Sequence, residues 1–287
     1  MPTVNEIISQ RICGLLEEGV IPWERPTLCT EQAPRGYDMR PGEHYTGINR
    51  ILLSLPGEYL TERMVAKYHG RILDRSNYHI ATFYKEIPAR EADSEDDNDD
   101  GASRRVLRYY RVYHISNTEG IRSRLNDSRE GAQRSLNADE LVRHYGIELV
   151  HDTLCADARL DAETRTVYLP SIEKYRNDES YYSALFHAVS LHEFVSSRGS
   201  DMRAVNAADR ALADMVSEIS SGMLMSHCGL DATRVERNSA ALIQRCLNDM
   251  RADARLISTA ARAAEKVVAS IVGGEQQENY QENQQAA

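Results

Sequence analysis

Apolar residues at Ile8, Ile12, Leu15 and Leu16 recur on one face of a 3.6-residue period, which predicts an opening helix. Thr3 with Glu6 three positions on supplies a capping box for its start, and Gly19 ends it. Prolines at 22 and 26 forbid continuous helix across residues 21–26, and further helices are expected near 47–55 and 61–68. The period then changes to two. Residues 78–87 and 106–115 alternate, with Ile80, Thr82 and Tyr84 on one face of the first run and Leu107, Tyr109 and Arg111 on one face of the second, so two neighbouring strands are predicted.

Beyond residue 138 the pattern is a short helix over 138–144, then strands over 148–153 and 165–169 joined by a polar turn containing Asp161 and Glu163. From residue 180 it is almost purely helical: 181–196, 203–226, and two more helices between 234 and 271, the last of them alanine-rich over 252–271. The fold class is α+β. An N-terminal α+β domain over residues 1–125 is followed by a mostly helical domain with a small β-sheet over 138–272.

Charge sharpens this division. The net charge is −10, yet seven of the ten residues at 91–100 are acidic, and like charges with nothing to bury predict a solvated loop there. Outside that loop the first 125 residues hold 17 basic against 12 acidic side chains, whereas residues 126–287 hold 17 against 25. The two parts are different electrostatic objects. Residues 126–137 read as the linker between them, and 273–287, which lack core-forming side chains, as a disordered tail.

No run of apolar residues is long enough to cross a bilayer, and the start of the chain lacks the basic and apolar segments of a secretion signal. Five cysteines at 13, 29, 155, 228 and 246 form no Cys-x-x-Cys pair, so neither a disulfide framework nor a thiolate zinc site is indicated, and a reducing cytoplasm is expected.

Two motifs in order carry a family resemblance. Asn5-Glu6-Ile7-Ile8 through Leu15-Leu16-Glu17-Glu18-Gly19-Val20-Ile21-Pro22-Trp23, followed by Tyr45-Thr46-Gly47-Ile48-Asn49-Arg50-Ile51-Leu52-Leu53, resemble the N-terminal domain of ArdC-type antirestriction proteins. Downstream, Tyr109-Tyr110-Arg111-Val112-Tyr113, Arg165-Thr166-Val167-Tyr168-Leu169-Pro170 and Tyr181-Tyr182-Ser183-Ala184-Leu185-Phe186-His187 continue the resemblance to about residue 270. It implies a single-stranded-DNA-binding domain joined to a zincin-like metallopeptidase domain, in a protein of a conjugative plasmid or phage acting in the cytoplasm of a bacterial host.

The resemblance also exposes a departure. Such metallopeptidases carry His-Glu-x-x-His on one helix, two imidazoles holding zinc and a glutamate polarising water. Here the window reads His187-Ala188-Val189-Ser190-Leu191: Ala188 cannot take a proton and Leu191 offers no lone pair. A shifted reading, His192-Glu193-Phe194-Val195-Ser196, puts serine where a ligand is required. On a later helix Asp214 holds the place of the third ligand, with Glu218 beside it. The expectation is therefore a pseudoenzyme without catalytic residues or cofactor, His187 and Asp214 being at most vestigial ligands that an adventitious zinc could use.

Function is then expected in the first domain. A single-strand binder needs a basic track for phosphates and aromatic faces for bases. The candidates are Trp23, Arg25, Tyr45, Asn49, Arg50, Lys85, Arg105, Arg108, Arg111 and Tyr113, with Tyr84, Tyr109 and Arg104 as neighbours. Against the motif, Thr27 stands where the family has a second tryptophan. Trp23 between its prolines reads first as a core or turn anchor and second as a stacking platform. Two alternatives stay open: an acidic inhibitor that occupies the DNA-binding surface of a host restriction or CRISPR nuclease, which the charge of −10 favours, and an active zinc metallopeptidase.

Overall fold

The computed structural model describes residues 2–25, 27–30, 32–87, 104–125, 138–151, 158–161, 164, 166–198, 206–235 and 239–273. The acidic run at 91–100, the linker at 126–137 and residues 274–287 of the tail lie outside them.

Helix α1 (Val4–Glu17) begins as its motif dictates. The Thr3 hydroxyl accepts from the Glu6 amide at 3.3 Å, and the Glu6 carboxylate accepts from the Thr3 amide at 2.6 Å. Ile8, Ile12 and Leu16 are buried, and Gly19 takes a φ of +80° just past the end. The proline-flanked segment forms a single 3₁₀ turn, Pro22–Glu24. Next come β1 (Arg35–Gly36), α2 (Ile48–Leu52), β2 (Glu58–Leu60), α3 (Glu62–Lys67), β3 (Arg71–Ile72), β4 (His79–Ile87), β5 (Arg104–His114) and β6 (Thr118–Glu119).

One sheet runs β1-β2-β5-β4, and β3 pairs with β6 in a second. The β4 and β5 strands are antiparallel with Thr82 opposite Tyr109 and Ile80 opposite Arg111. The faces are thus those the alternation predicts. The pair also runs on past the sheet, as a two-stranded ribbon that ends at Ile87 opposite Arg104.

The second half contains α4 (Ala138–Tyr145), β7 (Glu148–His151), β8 (Arg159–Asp161), β9 (Thr166–Leu169), α5 (Asp178–Ser197), α6 (Ala207–His227), α7 (Ser239–Ala252) and α8 (Leu256–Val272). The polar turn expected between the strands 148–153 and 165–169 needs correction. Asp161 belongs to an intervening strand, the sheet order is β7-β9-β8, and β7 lies parallel to β9. A three-residue strand is too short for alternation to register. Helix α6 starts at Ala207 rather than 203, because the Asn206 side chain caps it by accepting from the Asp209 amide at 2.9 Å.

One hydrophobic cluster joins the two halves. Ile8, Ile12, Leu16, Trp23, Ile51 and Ile80 pack in the same buried set as Phe186, Val216, Leu224 and Ile257. A close backbone approach between them is at Gly222 on α6. A Cβ built there would lie 2.1 Å from the Trp23 carbonyl oxygen, so only glycine lets the helix reach the 3₁₀ turn. The Ser226 hydroxyl beside it accepts from the Cys29 amide at 3.0 Å.

Candidate functional site

Two places in the fold bear on function: the contact of α5, α6 and α7 where a metallopeptidase would hold its metal, and the β4–β5 ribbon.

Helix α5 is started by Asn177, whose side chain accepts from the Ser180 amide at 2.9 Å, and it is buried on most sides. Ala188 is buried and Leu191 packs against the main cluster, so both degenerate positions serve packing. His187 faces α6, with Nε2 3.6 Å from Oε1 of Glu218. Asp214 and Glu218 stand one turn apart on α6. Between them comes Arg245 from α7, its Nη2 3.2 Å from Glu218 Oε1 and its Nη1 3.8 Å from Asp214 Oδ2. Burial pushes the Glu218 carboxyl up, against the opposing pull of His187 and Arg245.

The alternative ligand pair is spoken for. The His192 ring is buried with Nδ1 3.2 Å from the Ser196 hydroxyl. Glu193 accepts from the Tyr145 hydroxyl and, at 2.7 Å, from Ser270, which ties α5 to α4 and α8. Among the described residues no three His, Cys, Asp or Glu side chains are grouped to hold a metal. The donor set does not fit a catalytic zinc: the base and one imidazole are missing, and both α6 carboxylates already face a guanidinium. Sequence reading missed Arg245. No local motif marks it, since it meets its partners from a helix that follows α6 in the chain.

Six of the ten DNA-binding candidates prove to be structural. Trp23 is fully buried in the main cluster, so its ring has no free face for a base. Arg25 spends its donors on backbone carbonyls: Nε on Pro22 at 2.8 Å, Nη1 on Leu53 at 2.8 Å and Nη2 on Ile51. It thereby closes the C-terminal end of α2, and burial pulls its guanidinium down to about 10. Tyr45 and Tyr113 are core residues. The Asn49 side chain accepts from the Thr82 amide at 2.6 Å and donates to the Thr82 carbonyl at 2.8 Å, pinning α2 to β4. Arg50 donates to the Leu28 carbonyl at 2.8 Å and forms a buried ion pair with Glu265 on α8, Nε to Oε1 3.3 Å. These six side chains shape the scaffold.

Lys85, Arg105, Arg108 and Arg111 are exposed on the ribbon. Their spacing looked like one basic cluster, but the two-residue period of a strand divides it. Arg105 and Arg111 lie on one face with Tyr84 and Tyr109; Lys85 and Arg108 lie on the other with Phe83 and Tyr110. Arg105 is paired with Glu86 at 3.2 Å.

The first of these faces is the more developed. Tyr84 and Tyr109 are 46% and 44% exposed, unusual for large rings on a strand. The Arg262 guanidinium from α8 lies 4.8 Å from the Tyr84 ring centre and donates to its hydroxyl. Arg111 and Arg11 lie 4.5 and 5.3 Å from the ring centre of Tyr78, just before β4. Cations from α1 and β5 thus stand at Tyr78 and one from α8 at Tyr84, at the two ends of this face. Tyr78, Arg11 and Arg262 had no signal in the sequence, since α1 and α8 are remote from the ribbon along the chain.

Residues 2–113 match the N-terminal domain of anti-restriction factor ArdC, and residues 136–263 match a family described as a zincin-like metallopeptidase. Two crystal structures of the antirestriction ArdC protein from plasmid R388 superpose on the chain. The metal-free form is 21% identical with a TM-score of 0.68, covering 93% of this chain and 96% of its own. The Mn(II)-bound form is 20% identical with a TM-score of 0.69 and covers 99% of both. At this identity the likeness establishes the shared fold. No curated protein matches the chain.

Proposed function

This chain is an ArdC-type protein, and from that premise we propose that it is an antirestriction protein of a mobile element, binding single-stranded DNA on the β4–β5 ribbon while its metallopeptidase-like half is catalytically silent. The observation that carries the reading is the exposed pair Tyr84 and Tyr109, with Arg262 at Tyr84 and Arg111 and Arg11 at Tyr78 near the other end of the same strand face. Bases stack on such rings whatever their identity, while guanidinium groups follow the phosphates. A coat of this kind on an incoming strand denies it to host nucleases in the cytoplasm. The silence of the second half follows from Ala188 and Leu191, which supply neither base nor ligand.

The test is fluorescence anisotropy with a labelled single-stranded oligonucleotide over a range of salt. Tyr84→Ala and Tyr109→Ala are each expected to weaken binding about 5- to 100-fold, from the roughly 1–3 kcal/mol of one stacked base. Neutralising Arg111 and Arg11 lowers the salt slope by about 0.7 for each lost phosphate contact. Lys85 and Arg108, on the opposite face, serve as the control pair. Unchanged affinity in all these variants rejects the reading.

The charge of −10, concentrated in residues 126–287, favours a second reading in which the acidic half blocks the DNA-binding surface of a restriction or CRISPR nuclease. Inhibition of a purified nuclease by a chain that shows no DNA affinity would select it.

A further inference from the structure

The cluster at the meeting of α5, α6 and α7 is made of groups that attract a cation, and it already has one. Asp214 and Glu218 project from the same side of α6 one turn apart, and His187 approaches Glu218 from α5. Two carboxylates this close, one of them buried, repel each other unless a positive charge stands between them. Arg245 reaches both carboxylates with different nitrogens of one guanidinium, at 3.2 and 3.8 Å. Asp249, one turn further along α7, adds a third carboxylate whose charge Arg245 also offsets.

We infer that the Arg245 guanidinium occupies the place of a divalent metal in this cluster, as a cation supplied by the chain itself. The inference builds on the reading that the metallopeptidase-like half is silent, and adds what holds its former centre together. A guanidinium suits the position because it is planar, permanently charged, and can address two carboxylates at once. The site then needs no metal to stay folded. With Arg245 standing among them, no three of these donors are grouped to hold a metal; removing it frees Asp214 and Glu218, with His187 beside Glu218, to close on a divalent ion in its place.

The experiment uses the full chain, with melting temperature and bound metal as readouts, in EDTA, zinc and manganese. The unsubstituted protein is expected to retain no stoichiometric metal after dialysis, and its melting temperature to move by less than about 1 °C between EDTA and zinc. Arg245→Ala is expected to melt about 5 °C lower in EDTA and to recover in zinc, with about one equivalent bound. Adding His187→Ala to that variant abolishes the recovery. Arg245→Lys, which keeps a charge, stays insensitive to zinc. Should Arg245→Ala not fold, Arg245→Gln keeps the length of the side chain without its charge and gives the same readout. Zinc held by the unsubstituted chain and removed by EDTA overturns both this inference and the silent-centre reading. Charge-removing variants that ignore zinc overturn this inference alone, whatever their stability.

Discussion

Replacing Gly222 by alanine tests the contact through which the two halves of the chain share a core. The added Cβ would sit 2.1 Å from the Trp23 carbonyl oxygen and 3.1 Å from its carbonyl carbon. Resting non-bonded contacts of carbon lie at about 3.5–4.0 Å, so α6 and the Pro22–Glu24 turn must separate by about 1 Å or more. Neither yields easily. The Trp23 ring is fully buried, and the turn is tied down by the Arg25 bond to the Pro22 carbonyl and by the Cys29 bond to Ser226 on α6 itself. Alanine gains about 1 kcal/mol over glycine in helix preference. Overpacking costs about 1–3 kcal/mol and more where backbone has to move. The clash should win, with a net loss of about 2 kcal/mol and a melting temperature lowered by about 5 °C. Trp23 is the one tryptophan of the chain, so its emission reports on this contact. Scanning calorimetry with tryptophan fluorescence should show a lower midpoint together with a shifted emission maximum. An alanine variant that melts at or above the parent, with emission unchanged, refutes the geometry.

Arg50→Ala should cost about 3–5 kcal/mol in chemical denaturation, because it strands the buried Glu265 carboxylate, while leaving the single-strand affinity of the folded protein unaltered. A loss of affinity without a loss of stability would return Arg50 to the binding surface. Stability should also fall in acid. Burial, helped by the charge of Arg50, pushes the His227 imidazole down to about 4, and burial does the same to His79. In the unfolded chain both titrate near 6.5, so below that pH the unfolded state binds more protons. Their contribution is complete above about pH 6.5 and is lost as pH falls toward 4, at up to about 1.4 kcal/mol per unit for each group. His227→Gln should flatten part of this slope in denaturation midpoints taken at successive pH values; an unaltered slope refutes the assignment.

Much of the fold was legible in residue order because its causes are local. A capping pair three positions apart, an apolar stripe at helical spacing and alternation along two strands are all properties of short windows, and α1, β4, β5 and most of the helices stand where those windows put them. The missing donor atoms at positions 188 and 191 were equally legible, since alanine and leucine carry none in any conformation. The short strand β8 escaped because three residues carry no period.

What the sequence could not decide was which side of each residue faces what. Arg25 and Arg50 look like phosphate-binding residues until the fold buries them against carbonyls and Glu265. The run of arginines from 104 to 111 looks like one patch until strand geometry splits it between two faces. Arg262 meets Tyr84 across 178 positions, and Arg245 meets Glu218 across 27. Such meetings depend on how helices and sheet stack once their apolar faces are buried. That stacking is set by the whole core at once, so the chemistry of each helix was readable along the chain and its partners only in space.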